Sequence, residues 1–287
     1  MFCFILKSVS CVAVALTQAA IPDCGHCVLS FEKGTDIMKI GIIGFGNLGS
    51  ALASGLIRSC SVSAGDIYVC DSSPVALSAA EAAPVSAKVS QDINVVIRNS
   101  DVIFLTIKSH VFEVLARDID RSALAGKTVV SFMAGVGFEE IFRLIGEVSL
   151  VRAMPSLAIA SCDGVIGYTK APPAVSEIFN KLGYAFESKP EDIEKVMAFS
   201  SCGLGFAAYL IEAFAAAGQT MGFTAEESAS IAAVTFRNAV DRGAFSDTVK
   251  AVATPGGATE QGVLHMKNND INDIVAGAVR KAYERMT

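Results

Sequence analysis

The sequence predicts an α/β fold in two parts: a doubly wound sheet over residues 38–189, then an all-helical substrate and dimerisation domain over 190–287. Three observations predict it. Short apolar runs rich in β-branched residues alternate with helical periods as far as Lys189. Beyond that point strand signals stop and helical periods continue. A glycine-rich stretch, Gly44–Gly49, falls directly between the first strand and the first helix.

The first strand is Lys39–Ile43, an apolar run suited to a buried parallel position. Gly44-Phe-Gly46-Asn47-Leu48-Gly49 follows at once, and Ser50–Ile57 reads as a helix. This is G-x-G-x-x-G in the strand–turn–helix context that gives it meaning. Gly44 permits the tight turn, Gly46 lets a pyrophosphate approach the backbone, and Gly49 lets helix pack on strand. The free N–H groups at the helix N-terminus favour the anion. The segment therefore reads as the dinucleotide site of a Rossmann fold. A second strand, Ile67–Cys70, ends at Asp71, where an acidic residue would grip the ribose 2′-hydroxyl of NAD. Ser72 and Ser73 beside it suit a 2′-phosphate, but no Arg stands with them, so NAD and NADP both stay open. A third reading makes Asp71 only a cap for the helix opening at Pro74.

Further strands are expected at Val102–Ile107, Thr128–Phe132, Val148–Met154, Gly164–Tyr168 and Tyr184–Glu187, about eight in all. Helices fit at Val111–Ala116, Glu139–Gly146 and Ala174–Leu182. Ligands of open α/β sheets lie at the carboxyl edge. Lys108 ends one strand there and could face phosphate, ribose or a substrate carboxylate, or be a plain surface lysine. Ala134 and Gly135 are expected to allow close backbone approach to a cofactor, and Met154 and Pro155 are candidates to wall its nicotinamide. Arg152 is expected to make a structural ion pair.

In the second half, Glu191–Met221 reads as one long helix, or two joined at Gly203 and Gly205. Its part Phe206–Ala217 carries only Glu212 as a charge. A helix apolar nearly all round must be covered on all sides, which a small domain has little room to do without a partner, although a long core helix within a monomer stays open. A homodimer or dimer-based oligomer built across this domain is expected. Thr224-Ala-Glu-Glu227 is a capping box for a helix that stops at Gly243. Thr254-Pro-Gly-Gly-Ala-Thr259 is a turn leading into a helix over Glu260–Met266, and a last helix covers Asn272–Met286.

Composition narrows the function classes. Hydrophobic residues are 52% and charged residues 18%, which excludes global disorder. Net charge is −6 with no basic stripe, so no nucleic-acid partner is expected. With three histidines, no metal site is expected. Mean hydropathy is high, +0.49, yet no uninterrupted apolar stretch reaches the roughly 18 to 20 residues of a membrane span. No membrane partner is therefore expected, and the high value is assigned to extensive burial, including burial between subunits. Residues 1–37 do not continue the fold and are read as a non-domain extension. They carry either a leader-like order of charge, apolar run and small residues, or sequence upstream of a start at Met38. Cys24-Gly-His-Cys27 has redox or zinc spacing without a second pair to support it. Cys60, Cys70, Cys162 and Cys202 are scattered singly, as reduced thiols of a cytoplasmic protein would be.

From Met38 to the C-terminus the chain resembles the pyrroline-5-carboxylate reductase family. The likeness lies in Gly44-Phe-Gly-Asn-Leu-Gly49, Ile107-Lys-Ser109, Val130-Ser-Phe-Met-Ala-Gly135, Val151-Arg-Ala-Met-Pro-Ser156 and Thr254-Pro-Gly-Gly-Ala-Thr259, in this order and spacing. The departures are Leu204 for a Pro, Cys202 for a Ser, Ser156 for an Asn, Ser109 for a Pro and Lys250 for an Asp. The resemblance implies reduction of 1-pyrroline-5-carboxylate to L-proline by NADH or NADPH. It implies cofactor contacts from Gly44, Gly46, Asn47, Leu48, Gly49, Asp71, Ser72, Ser73, Lys108, Ala134, Gly135, Met154 and Pro155. Substrate contacts would come from Ser200, Gly256, Gly257, Ala258 and Thr259, with Thr259 as the catalytic hydroxyl; a plain helix-capping role for Thr259 stays open. A β-hydroxyacid dehydrogenase would need a lysine on the long helix, and Ser200–Gly222 has none. A deazaflavin-dependent NADP reductase would share only the first domain. A diverged member acting on another imine or carbonyl, or a non-catalytic dinucleotide-binding regulator, stays open.

Overall fold

The computed structural model describes residues 38–286, which lie in one compact unit, Ile37–Thr287. The leader and start readings and the Cys24–Cys27 pair fall outside the described residues. The first half runs β1 (Ile40–Ile43), α1 (Asn47–Arg58), β2 (Ile67–Cys70), α2 (Pro74–Glu81), β3 (Lys88–Ser90), α3 (Ile93–Arg98), β4 (Val102–Leu105), α4 (Ser109–Leu115), β5 (Thr128–Ser131), α5 (Phe138–Ile145), β6 (Ser149–Pro155), β7 (Gly164–Tyr168), α6 (Pro173–Lys181) and β8 (Gly183–Glu187). The eight strands form one sheet in the order β3-β2-β1-β4-β5-β6-β7-β8. All neighbours pair parallel except β6 and β7. Only the short turn around Leu157–Ser161 joins those two, too little chain for the crossover a parallel pair requires.

Every residue of β1, β2 and β4 is buried, because helices cover both faces of the sheet. The pleat divides them between two cores. Ile40, Ile42, Val69 and Phe104 pack with Leu52 and Leu56 of α1 and Phe179 of α6. Ile43, Cys70, Ile103 and Leu105 pack with Val96 of α3, Phe112 of α4 and Ile141 of α5. The sequence reading missed β3 and α3. β3 has three residues at the sheet edge, and α3 (Ile-Asn-Val-Val-Ile-Arg) is too short and too β-branched to show a helical period.

The second half is α7 (Ile193–Val196), a π-helical turn (Met197–Ser201), α8 (Cys202–Thr220), α9 (Ala225–Arg242), α10 (Phe245–Val252), α11 (Ala258–Asn268) and α12 (Ile271–Glu284). The expected joint at Gly203 and Gly205 is absent: both lie inside α8, and the irregularity is the π-turn just before them. The α9 capping box forms as expected, the Thr224 Oγ1 accepting the Glu227 N–H at 3.2 Å and Glu227 Oε2 accepting the Thr224 N–H at 2.9 Å. α10 was not foreseen.

The helical half bears on one expectation, and the cysteines correct another. The segment Pro190–Thr220 is long and apolar enough, by length and composition, to cross a membrane. Phe223 in the turn after it, Ile231 of α9, Phe245 of α10 and Ile274 of α12 are exposed too, so the uncovered apolar surface is spread over the helical half rather than over one helix. Cys70, Cys162 and Cys202 are free thiols, but Cys60 is disulfide-bonded rather than reduced.

Candidate dinucleotide and substrate site

The loop Gly44–Gly49 opens between β1 and α1, at the point where the strand order turns from β1 outward to β2 on one side and β4 on the other. Gly44 has φ +96°, and a Cβ there would meet Ile107 Cγ2 at 2.6 Å. A Cβ on Gly49 would meet the Gly44 carbonyl oxygen at 2.1 Å, so helix and loop touch backbone to backbone. A Cβ on Gly46 would meet nothing within 4 Å. Loop and helix are thus closed against the protein at Gly44 and Gly49 and open at Gly46, which is the shape a pyrophosphate needs. Gly46 and Asn47 are exposed, Leu48 is half-buried, and α1 has no acidic residue in its first turn to repel an anion.

Two side chains outside the glycine motif fix this loop. Thr106, directly after β4, donates its hydroxyl hydrogen to the Gly44 carbonyl (2.6 Å) or the Ile43 carbonyl (3.0 Å). Asp71, directly after β2, accepts the Phe45 N–H at 2.7 Å and the Ser73 N–H at 2.8 Å. Asp71 therefore does not cap α2 itself; the Ser73 hydroxyl does, accepting the Ala76 N–H at 3.4 Å. Ser72 is exposed beside them. Burial, then the charges of Asp71 and Asp92, push the Cys70 thiol up to about 11, so it stays neutral and offers no nucleophile.

The other expected cofactor residues line the same edge. Lys108 is exposed at the N-terminus of α4. Gly135 has φ +69° and lies so near the end of α12 that a Cβ would sit 2.9 Å from the Met286 carbonyl oxygen. Ala134 is half-buried, and Met154 and Pro155 are buried at the end of β6. Ser156 is buried too, and its hydroxyl accepts the Val165 N–H at 3.1 Å, which serves β7 rather than a ligand.

The helical half meets this edge at the π-turn. Ser201 donates to the Pro155 carbonyl at 2.9 Å, whereas the Ser200 hydroxyl turns back to Val196 on its own helix at 2.8 Å. The expected ion pair of Arg152 is present and buried: Nη2 lies 2.5 Å from Glu194 Oε1 and ties β6 to α7. The sequence reading missed Thr106 and Ser201. Each lay inside a segment already singled out, but nothing local marks which hydroxyl turns inward.

The second group of expected residues gathers at the N-terminus of α11. Gly256 has φ +73°, and the Gly257 N–H closes the turn on the Thr254 carbonyl at 2.8 Å. A Cβ on Gly257 would sit 2.5 Å from Thr254 Oγ1. Glu260 Oε2 accepts the Gly256 N–H at 2.7 Å, so this turn already holds one carboxylate. Ala258 and Thr259 are exposed. Lys250, on α10, pairs at the surface with Asp247 at 3.0 Å. Two clefts of about 500 and 580 Å³ are lined by residues such as Lys170 and Lys189 or Gly126 and Lys127, and by none of the residues of either group. Among the described residues no cluster of three or more potential metal ligands occurs.

A doubly wound sheet with an open glycine loop at its switch point, continued by a helical layer, defines a dinucleotide-dependent oxidoreductase class. Within it, residues 39–135 match the family described as NADP oxidoreductase coenzyme F420-dependent, and residues 190–287 match pyrroline-5-carboxylate reductase dimerisation. The pyrroline-5-carboxylate reductase of Methanosarcina acetivorans is 29% identical over 86% of this chain and 96% of its own length. That of Staphylococcus epidermidis is 26% identical over 86% and 97%. Among solved structures, Plasmodium falciparum pyrroline carboxylate reductase with NADP bound superposes with a TM-score of 0.79 at 22% identity, over 88% of this chain and 98% of that one. The Coxiella burnetii enzyme gives 0.75 at 24%, over 88% and 98%. The chain is thus similar to pyrroline-5-carboxylate reductases along most of its length, and its residues 190–287 match the dimerisation domain of that family.

Proposed function

We propose that the protein reduces 1-pyrroline-5-carboxylate to L-proline with NADH or NADPH, the last step of proline biosynthesis. The observation that carries this is the Thr254–Thr259 turn, whose Gly256 N–H already donates to a carboxylate oxygen at 2.7 Å. The Glu260 carboxylate there stands in for the carboxylate of the substrate. With that group held by the turn and by the free N–H groups of α11, no arginine is needed. The Thr259 hydroxyl then hydrogen-bonds the imine nitrogen and helps supply its proton. A bound NADH or NADPH would supply the hydride for the C=N carbon, so that carbon and nitrogen together gain one hydride and one proton. Gly46 and the N-terminus of α1 hold the pyrophosphate, and Met154 and Pro155 bound the nicotinamide.

Residues 38–189 act as the dinucleotide domain and residues 190–287 as the substrate and dimerisation domain, with residues 1–37 an extension. The uncovered helical layer is paired in a homodimer or a dimer-based oligomer. A cytoplasmic location without nucleic-acid or membrane partners accords with the acidic charge and the assignment of the apolar face to subunit pairing. The full chain, given NADH or NADPH and pyrroline-5-carboxylate, is expected to consume absorbance at the nicotinamide band. A dinucleotide-binding protein that gives no such loss with either cofactor refutes the reading. Thr259→Val keeps shape and removes the hydroxyl, and is expected to lower kcat roughly a hundredfold, less at acidic pH where more imine arrives protonated. Cys202 and Leu204, at the start of α8 beside the π-turn, favour a second reading, another imine or carbonyl substrate, which the same assay with a panel of imines and carbonyls would detect.

A further inference from the structure

We propose that Asp71 is a positioning residue that clasps the dinucleotide loop and does not read the adenosine ribose. This rests on the dinucleotide reading above. Both carboxylate oxygens are engaged by backbone donors, Oδ2 by the Phe45 N–H at 2.7 Å and Oδ1 by the Ser73 N–H at 2.8 Å. Phe45 stands between Gly44 and Gly46, and its side chain is 6% exposed in the core shared with α1. From the opposite flank, Thr106 holds the Gly44 carbonyl. β2 and β4 are the two neighbours of β1, so the loop that follows β1 is held from both sides by the first side chains beyond those neighbours. The Gly44 N–H closes the same seam on the Cys70 carbonyl at 2.8 Å.

A carboxylate that grips a ribose must turn outward and offer its oxygens to the hydroxyls. For Asp71 that rotation breaks two charge-assisted bonds and strands the Phe45 N–H beneath the loop, where water does not replace the partner well. Asp71 thus acts through the loop: it presets the Gly46 backbone for the pyrophosphate, and the 2′-hydroxyl contributes little to its energy.

The test is a cycle of two proteins and two ligands of equal charge, NADH and the NADH analogue lacking the 2′-hydroxyl on its adenosine ribose. The clasp predicts that the wild-type protein binds both within about threefold. It also predicts that Asp71→Asn weakens both by the same factor, roughly tenfold or more. A ribose grip predicts instead that the wild type loses roughly tenfold or more on the deoxy analogue and that Asp71→Asn loses nothing further, a result that overturns the proposal. Unchanged affinity of Asp71→Asn for both ligands overturns it as well. If Asp71→Asn does not fold, the two wild-type affinities alone decide. A wild type that binds neither ligand overturns the dinucleotide reading, and the clasp with it.

Discussion

The sheet half of the molecule is closed on itself and the helical half is not. Every strand except the edge strands β3 and β8 is flanked by two partners, and the strand side chains feed one of two cores covered by helices of the same chain. α8, α10, α11 and α12 bury no residue within the chain, and α9 buries only Ser228 and Ala232. Phe199 is 76% exposed, Tyr209 69% and Phe245 65%. An apolar surface of this extent is not left in water by a stable monomer. The two halves have similar apolar content, but the sheet half buries its share within the chain, whereas the helical half leaves an apolar face that the proposed dimer would cover.

A charge placed in each half sharpens that contrast most strongly. Leu210→Glu puts a carboxylate on the α8 face, and two copies carry it into the interface. The expected result by light scattering is a folded monomer at micromolar concentration where the wild type is at least a dimer, a shift of about 5 kcal/mol or more. Leu52→Glu, fully buried in the sheet core, is expected to abolish folding instead. A monomeric wild type, or an unaffected Leu210→Glu dimer, breaks the comparison.

The join between the halves comes next. Glu194→Gln leaves the Arg152 guanidinium buried without its anion, and one of its nitrogens, Nε, has no hydrogen-bond partner even now. A loss of about 3–5 kcal/mol is expected, read as a fall in Tm of roughly 10 °C. Replacing both partners, Arg152→Met with Glu194→Leu, should recover most of it. An unchanged melting curve for the single variant would show that the pair does not couple the halves.

Within the nucleotide loop, Gly46→Val and Gly49→Val separate binding from packing. Gly46 has open space at its Cβ position and backbone angles a side chain tolerates, so NAD(P)H affinity should fall roughly a hundredfold, about 2.7 kcal/mol, with Tm retained. Gly49→Val drives its side chain into the Gly44 carbonyl and should lower Tm as well. Fluorescence titration beside melting curves measures both, and equal affinity in Gly46→Val and the wild type would remove the pyrophosphate from this loop.

The smallest effect is local to the helical half. Thr224→Ala removes the α9 cap and should cost about 1 kcal/mol without changing the oligomer. Its backbone N–H and then its hydroxyl hold the Glu227 carboxyl below the usual carboxylate range. The folded value is depressed, so the stabilisation is present above the unfolded value and fades as pH falls through the folded one. Acid titration of stability should therefore be shallower in Thr224→Ala, and parallel curves would show that the cap carries no charge-dependent share.

Sequence alone determined the features whose physics is local. G-x-G-x-x-G between strand and helix fixes a backbone path, because only glycine admits the φ of Gly44 and the contact at Gly49. The capping box and Gly243 set both ends of α9, and the lone charge of Glu212 exposed the need for a partner. Three residues at an edge gave β3 no pattern, and six β-branched-rich residues gave α3 none. Only the tertiary structure decided what Asp71, Thr106 and Ser201 do, since each acts on a backbone group brought near by another strand or helix. It also placed the helical irregularity at Met197–Ser201 rather than at the glycines, and it turned Ser200 away from the edge. Periodicity and turn chemistry are written within a few residues of chain, but the direction a hydroxyl or carboxylate faces depends on which distant donor the fold sets beside it.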